Sequence, residues 1–241
     1  SRWLQGPPSV PEARLRVRSA NAMAKDVRLG VGVDRLDYTK GIVERLRAVE
    51  RLLDTRPEWV GRFSFVQIAA PSRSDIERYR RFSEEVTAVA AAINERFARP
   101  GYAPVYLRVA HHSPPEVFEY YRGADLCFVS SLHDGMNLVA KEFVSARDDE
   151  QGVLLLSLFT GASRELPEAL VVNPYDTDEC ARALHRALVM TPEEQRSRMR
   201  RMRGYVREYN IYRWAGRMLM DAARIRARNR LLSRCPDLSA Q

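Results

Sequence analysis

The chain has almost no lysine: of 39 basic residues, all but Lys25, Lys40 and Lys141 are arginine. Cysteine is equally sparse. Cys127, Cys180 and Cys235 are odd in number and far apart. They exclude a disulfide framework, and no Cys-x-x-Cys spacing suggests zinc. Cys127 sits in an apolar strand-like run and reads as core filler. No apolar run approaches the ~20 residues of a membrane helix. The run Val153 to Leu156 is interrupted by Ser157. The first residues, Ser1 to Pro8, lack the basic-then-apolar order of a secretion signal. The expectation is a cytoplasmic protein with no membrane partner. There is no internal repeat and no low-complexity tract.

What is present is an ordinary hydrophobic fraction, 45% of 241 residues, with a net charge of +8. That length holds one large domain or two small ones. The charge raises the question of an anionic partner, nucleic acid or a phosphate-bearing small molecule. Arg196, Arg198, Arg200, Arg201, Arg203 and Arg207 cluster near the C-terminus. They read as a solvated helix face, because Tyr205 alone falls among them, short of the aromatic interleaving that a base-stacking platform requires. No nucleic-acid partner is expected.

Residues 1–26 carry Pro and Arg without a strong period and read as a linker remnant. From Val27 onward, short apolar runs alternate with helical patterns. The runs are 27–33, 63–69, 105–109, 126–129, 152–156 and 170–172. Ile42, Leu46, Val49 and Leu53 recur at helical spacing, and Ser74-Asp75 suits the start of a helix toward Phe97. Further helices are expected over 114–121, 136–146, 177–190, 192–208 and 212–232. Buried strands alternating with helices predict an α/β fold, a Rossmann-like, doubly wound parallel sheet of about six strands. In such sheets ligands lie beyond the carboxyl ends of the strands.

The loops there carry the chemistry. Arg35 and Lys40 lie between a strand end and a helix start. Two cations beside free backbone amides suit a diphosphate; the same residues also fit a solvated loop with capping groups. Arg73 lies in a second such loop. His111-His112 follows the third strand. Consecutive residues of an extended chain face opposite sides, and no nearby Cys or carboxylate completes a ligand set. This pair therefore suits a loop near a base or sugar, or plain structural filling. The fourth loop runs Ser131-Leu132-His133-Asp134-Gly135-Met136-Asn137-Leu138-Val139-Ala140-Lys141-Glu142. Gly135 permits a sharp turn, and the helix that follows aims its free N–H groups at the loop. Asp134 and Glu142 can accept hydrogen bonds from sugar hydroxyls without a metal. An isolated Asp-x7-Glu would more simply be a cap and a salt-bridged Glu.

The runs Asp34–Gly41, Asp134–Glu142, Gly161–Glu165 and Val172–Asp176 resemble those of the trehalose-6-phosphate synthase family, in order and spacing, over about 27–223. The resemblance implies the C-terminal, donor-binding half of a two-domain GT-B fold. It implies transfer of glucose from UDP-glucose to glucose 6-phosphate with retention, with no cofactor and no metal. Arg35 and Lys40 would then be the catalytic residues, gripping the donor diphosphate and stabilising its departure. Asp134 with the backbone of Gly135, Met136 and Asn137 would hold the glucose. The amides of Leu138 and Val139 would face the phosphates, Glu142 the ribose, the backbone at His112 the base, and Arg73 the acceptor phosphate. His133 stands where many members have Arg, which bears on acceptor and leaving-group contacts.

The same resemblance places the acceptor-binding N-terminal domain outside this chain, so the chain alone is expected to be inactive in transfer. A member with another acceptor, such as a glucosylglycerol-phosphate synthase or a pseudo-glycosyltransferase, would carry the same motifs. So would a noncatalytic, regulatory glycosyltransferase-like module, although retention of Arg35, Lys40, Asp134 and Glu142 argues against decay. The sequence divides into a linker remnant (1–26), a nucleotide-sugar-binding domain (27–208) and a C-terminal crossover helix and tail (209–241). In that tail Ile211, Trp214, Met218 and Ala222 form an apolar stripe, with Leu219 and Ile225 beside it. The absent domain or a chain–chain contact would cover it.

Overall fold

Six apolar segments form one sheet of parallel strands in the computed structural model, which describes residues 7–72, 76–209 and 211–234. The strands are β1 (Arg28–Arg35), β2 (Phe63–Ala70), β3 (Val105–Val109), β4 (Leu126–Val129), β5 (Val153–Ser157) and β6 (Leu170–Val172). Their spatial order is β3-β2-β1-β4-β5-β6, and every pairing is parallel. The order reverses between β1 and β4, which opens a crevice at their carboxyl ends. Strands buried on both faces need unbroken apolar sequence: Phe65, Leu126, Phe128, Leu154 and Leu155 are almost entirely inaccessible.

The helices are α1 (Val10–Ala20), α2 (Ile42–Thr55), α3 (Glu77–Phe97), α4 (Pro114–Gly123), α5 (Leu138–Ala146), α6 (Ala162–Glu165), α7 (Thr177–Val189), α8 (Pro192–Glu208) and α9 (Ile211–Arg234). Helix α2 packs between α3 and α7, and α4 between α1 and α5. The stripe Ile42, Leu46, Val49 and Leu53 is fully buried in the α2 core. Each such side chain contributes about 1.5–3 kcal/mol.

Two elements differ from the sequence reading. The stretch that reads as a linker contains α1, closed by a reciprocal capping box between Ser9 and Glu12 and burying Val10, Ala13 and Val17. It is anchored electrostatically. Arg18 is buried and donates to the Val27 and Gly123 carbonyls and to Asp125, at 3.0 Å. Asp125 also takes Arg14, Arg28 and the Leu29 amide. Helix α5 begins at Leu138 rather than at Met136, because Asn137, with φ +64°, is its cap and accepts from the Ala140 amide. The expected Ser74-Asp75 cap lies outside the described residues, as does Cys235.

The chain divides into two units, Ser1–Arg203 and Gly204–Gln241. In the first, three α8 arginines are engaged by the protein itself: Arg198 with Glu194, Arg200 with Glu150, and Arg203 with the Val144 and Ser145 carbonyls. In the second, Tyr205 stacks on Tyr209 at 4.4 Å and Arg213 pairs with Glu208 at 2.6 Å. The side chains of Ile211 and Trp214, half of the expected stripe, lie outside the described residues. No described helix is long and apolar enough to cross a membrane.

Candidate functional site

The crevice between the carboxyl ends of β1, β2 and β4 is a cleft of about 510 Å³. Its walls include Arg35, Lys40, His112, Asp134, Met136, Asn137, Leu138 and Val139. These come from three loops and one helix start, so the sheet order unites residues that are distant in sequence. Gly135 and Glu142 are not on this wall, and Arg73 lies outside the described residues.

Arg35 is the last residue of β1 and is exposed. Among the described residues it makes no hydrogen bond or ion pair. The loop after it is drawn tight by Asp37, whose carboxylate accepts from the Thr39 amide and hydroxyl at 2.9 and 2.8 Å. Gly41 closes the turn at φ +62°, where a Cβ would stand 2.1 Å from the Ser130 carbonyl oxygen. Only glycine satisfies both demands.

Lys40 Nζ donates to Asp134 Oδ2 at 2.7 Å, with both side chains largely shielded. Asp134 also accepts from the Met136 and Asn137 amides and from Asn137 Nδ2. Burial alone would raise the Asp134 carboxyl, but the hydrogen bond and charge of Lys40, with the amide and Asn137 donors, hold it below the usual carboxylate range. A depressed carboxyl contributes stability that is present above its unfolded value and is lost as pH falls through its folded one. Asp134 therefore stays ionised throughout the neutral range. The two expected ligand residues are thus each other's partner.

At the start of α5, Asn137 occupies the Ala140 amide and leaves those of Leu138 and Val139 ahead of the first intrahelical bonds, on the cleft wall. Positive helix-end potential and two cations meet there. The Asp134–Gly135 turn is stitched to the loop after β5. Asp134 N donates to Phe159 O and Gly161 N to Asp134 O, at 3.2 and 3.0 Å. His112 is half-buried, its Nδ1 3.1 Å from the Ala110 carbonyl oxygen, and His133 is exposed. No described group of three or more His, Cys, Asp or Glu is arranged to hold a metal.

Glu142 is exposed and receives the Tyr121 hydroxyl at 3.1 Å. Burial pushes that hydroxyl far above its ordinary range, so it stays neutral and donates. Sequence reasoning missed Tyr121, since α4 periodicity marks it only as core. It also missed Arg45, Gln67 and Ser130, which lie beneath the cleft. One signal was available: Arg45 sits in the otherwise apolar stripe of α2.

A second cleft of about 800 Å³ lies between α1 and α4 and shares His112. Its charges are already matched: Arg16 pairs with Glu119 at 3.2 Å and Arg108 bonds Asn21 at 2.7 Å. Among the described residues of the two clefts, the cation without such a partner is Arg35, in the smaller one.

The chain is similar to proteins of one family. The chain is 42% identical over 206 residues to trehalose-6-phosphate synthase of Klebsiella pneumoniae, covering 85% of this chain and 44% of that protein. It is 36% identical over 215 residues to the UDP-forming alpha,alpha-trehalose-phosphate synthase of Pichia angusta, covering 89% and 45%. Among solved structures, that of an alpha,alpha-trehalose-phosphate synthase from Burkholderia xenovorans in complex with glucose-6-phosphate matches with a TM-score of 0.83 at 40% identity, covering 88% and 48%. An E. coli structure bound with UDP-2-fluoro glucose matches with a TM-score of 0.83 at 39% identity, covering 90% and 47%. The chain spans about half the length of the relatives it matches. The profile of glycosyltransferase family 20 matches residues 7–224, and the chain belongs to that family.

Proposed function

We propose that this chain is the donor-binding half of a UDP-forming α,α-trehalose-phosphate synthase, which transfers glucose from UDP-glucose to glucose 6-phosphate with retention. The carrying observation is the cleft itself: it sets Arg35, Lys40, Asp134 and the open amides of α5 around one space at the switch point of the sheet. The diphosphate lies against Arg35, Lys40 and the Leu138 and Val139 amides. When phosphate takes Lys40, Asp134 turns to the glucose hydroxyls. The cations then stabilise charge as it gathers on the departing diphosphate, which is electrostatic catalysis by preorganised groups. Glu142, oriented by Tyr121, takes the ribose hydroxyls, and the backbone at His112 meets the base. Arg73 reaches the acceptor phosphate, and transfer requires the acceptor domain of the full-length protein.

Calorimetric titration of this chain with UDP, UDP-glucose and their GDP and ADP counterparts tests the reading. Binding of the uridine ligands is expected, with the same affinity before and after addition of a chelator. No binding of any nucleotide would overturn the donor role, and loss of binding with chelator would overturn the metal-free reading.

Gly161→Ala separates the sugar from the nucleotide. A Cβ there would stand 2.1 Å from the Gly135 carbonyl oxygen, so the glucose-binding turn must shift. Overpacking of this kind costs about 1–3 kcal/mol. The expected result is that UDP-glucose weakens by about tenfold while UDP changes little. Equal effects on the two ligands would remove the turn from sugar recognition.

A further inference from the structure

We propose that Arg45, buried beneath the cleft, is a positioning residue that acts through Ser130 to hold the Lys40 loop in its anion-binding shape. The inference rests on the donor-binding reading above and adds to it residues that touch no ligand.

Arg45 lies in the first turns of α2 and is fully buried. Its Nη1 donates to Asp34 Oδ2 and to Gln67 Oε1, both at 2.7 Å, and its Nε donates to Ser130 Oγ at 3.0 Å. The partners belong to the end of β1, to β2 and to the residue just past β4. These are the strand ends that form the cleft. Room for the guanidinium comes from Gly32, where a Cβ would stand 2.2 Å from Nη1. Gln67 is oriented by its own amide, which donates to the Ile68 carbonyl.

The chemistry of Ser130 gives this network a direction. An arginine Nε–H only donates, so Ser130 Oγ is its acceptor and must aim its single proton elsewhere. That proton meets the Gly41 carbonyl oxygen at 2.6 Å, with the Lys40 carbonyl oxygen 3.2 Å away. The Leu132 amide donates to the Thr39 carbonyl at 2.8 Å. The Gly41 and Thr39 carbonyls of the loop are therefore held by Ser130 and Leu132. Lys40 is the one side chain of that stretch that reaches Asp134 across the cleft.

Stability alone accounts poorly for this arrangement. A buried ion pair gains little over well-packed apolar residues, and Arg45 Nη2 has no hydrogen-bond partner among the described residues. What the pair supplies is a fixed orientation for the Ser130 hydroxyl.

The test uses this chain with Ser130→Ala, Ser130→Thr, and Arg45→Met combined with Asp34→Asn, so that no lone charge is left buried. Hydrogen exchange of the 36–42 segment is measured without ligand, and UDP and uridine affinities by calorimetry. Ser130→Ala and the double variant are expected to speed exchange in that segment alone. They are expected to weaken UDP by about tenfold and uridine by less than about threefold. Ser130→Thr keeps the hydroxyl and restores both readouts. Wild-type exchange and wild-type UDP affinity in Ser130→Ala would overturn the proposal, as would general loss of protection with equal loss of both ligands. A parent chain that binds neither ligand would defeat the donor-binding reading, while the exchange of the 36–42 segment would still decide the positioning role.

Discussion

Lys40→Ala is expected to weaken UDP binding by about 10- to 150-fold, the equivalent of a charge-assisted contact of ~1.5–3 kcal/mol, and to leave uridine binding nearly unchanged. The ammonium faces the cleft and, among the described residues, holds Asp134 alone, at 2.7 Å. Diphosphate therefore offers it a stronger anionic partner than a single carboxylate. Alanine removes that contact and leaves Asp134 with the Asn137 amide groups and the Met136 amide, so the loop itself survives. Glu142→Ala should behave differently. Its carboxylate is oriented by Tyr121, off the wall of the diphosphate cleft. Loss of a ribose contact weakens UDP and uridine by a similar factor. Paired titrations of the two variants with the two ligands check this. Unchanged UDP affinity in Lys40→Ala would remove the phosphate role of Lys40, and a UDP-selective loss in Glu142→Ala would remove the ribose assignment.

Asp125→Ala is expected to cost about 3–5 kcal/mol of folding stability, because it leaves the buried Arg18 without its counter-charge. Arg18 and Asp125 are both buried, and Asp125 alone joins Arg14, Arg18, Arg28 and the Leu29 amide. One carboxylate thus ties α1 to the start of β1. The Val27 and Gly123 carbonyls still accept from Arg18, but they carry no net charge. Denaturant unfolding measures the effect as a lower midpoint at unchanged slope. Asp125→Ala combined with Arg18→Met should recover part of the loss, since no charge then remains unpaired. A loss within about 1 kcal/mol, the size of an exposed pair, would show that Arg18 is rehydrated and that α1 is held by its apolar face alone.

Much of this molecule is legible in its sequence. The runs 105–109, 126–129 and 170–172 are strands with those bounds: central β4 is buried throughout and wholly apolar, while the edge strands β3 and β6, with Arg108 and Val171 partly exposed, keep enough apolar residues to show as runs. Helix α8 likewise spans the stretch from Pro192 to Glu208, since proline at the first helical position and two following acids mark a start. The chemistry-bearing loops could be located for a related reason: parallel strands all end at the same edge, so each run names its own functional loop. Helix α1 was missed although its capping box, Ser9 with Glu12, stands in the sequence. Its three arginines alternate with Leu15 and Val17 and obscure the helical period.

What tertiary structure alone decided is which distant residues meet. Periodicity says that Arg45 lies on the buried stripe of α2, but nothing local names Asp34, Gln67 and Ser130 as its partners. That follows from the order β2-β1-β4, which places three strand ends side by side. The same order brings Lys40 to Asp134 and makes each the other's counter-ion. Glu142 shows the opposite case. Sequence groups it with Asp134 in one motif, but Asn137 starts the helix three residues after Asp134, and the turn of α5 carries Glu142 off the cleft wall toward Tyr121. Residue type and strand position are local properties, carried by burial and backbone preference. Pairing of charges across a sheet is set by strand order, which arises only when the whole chain closes its core.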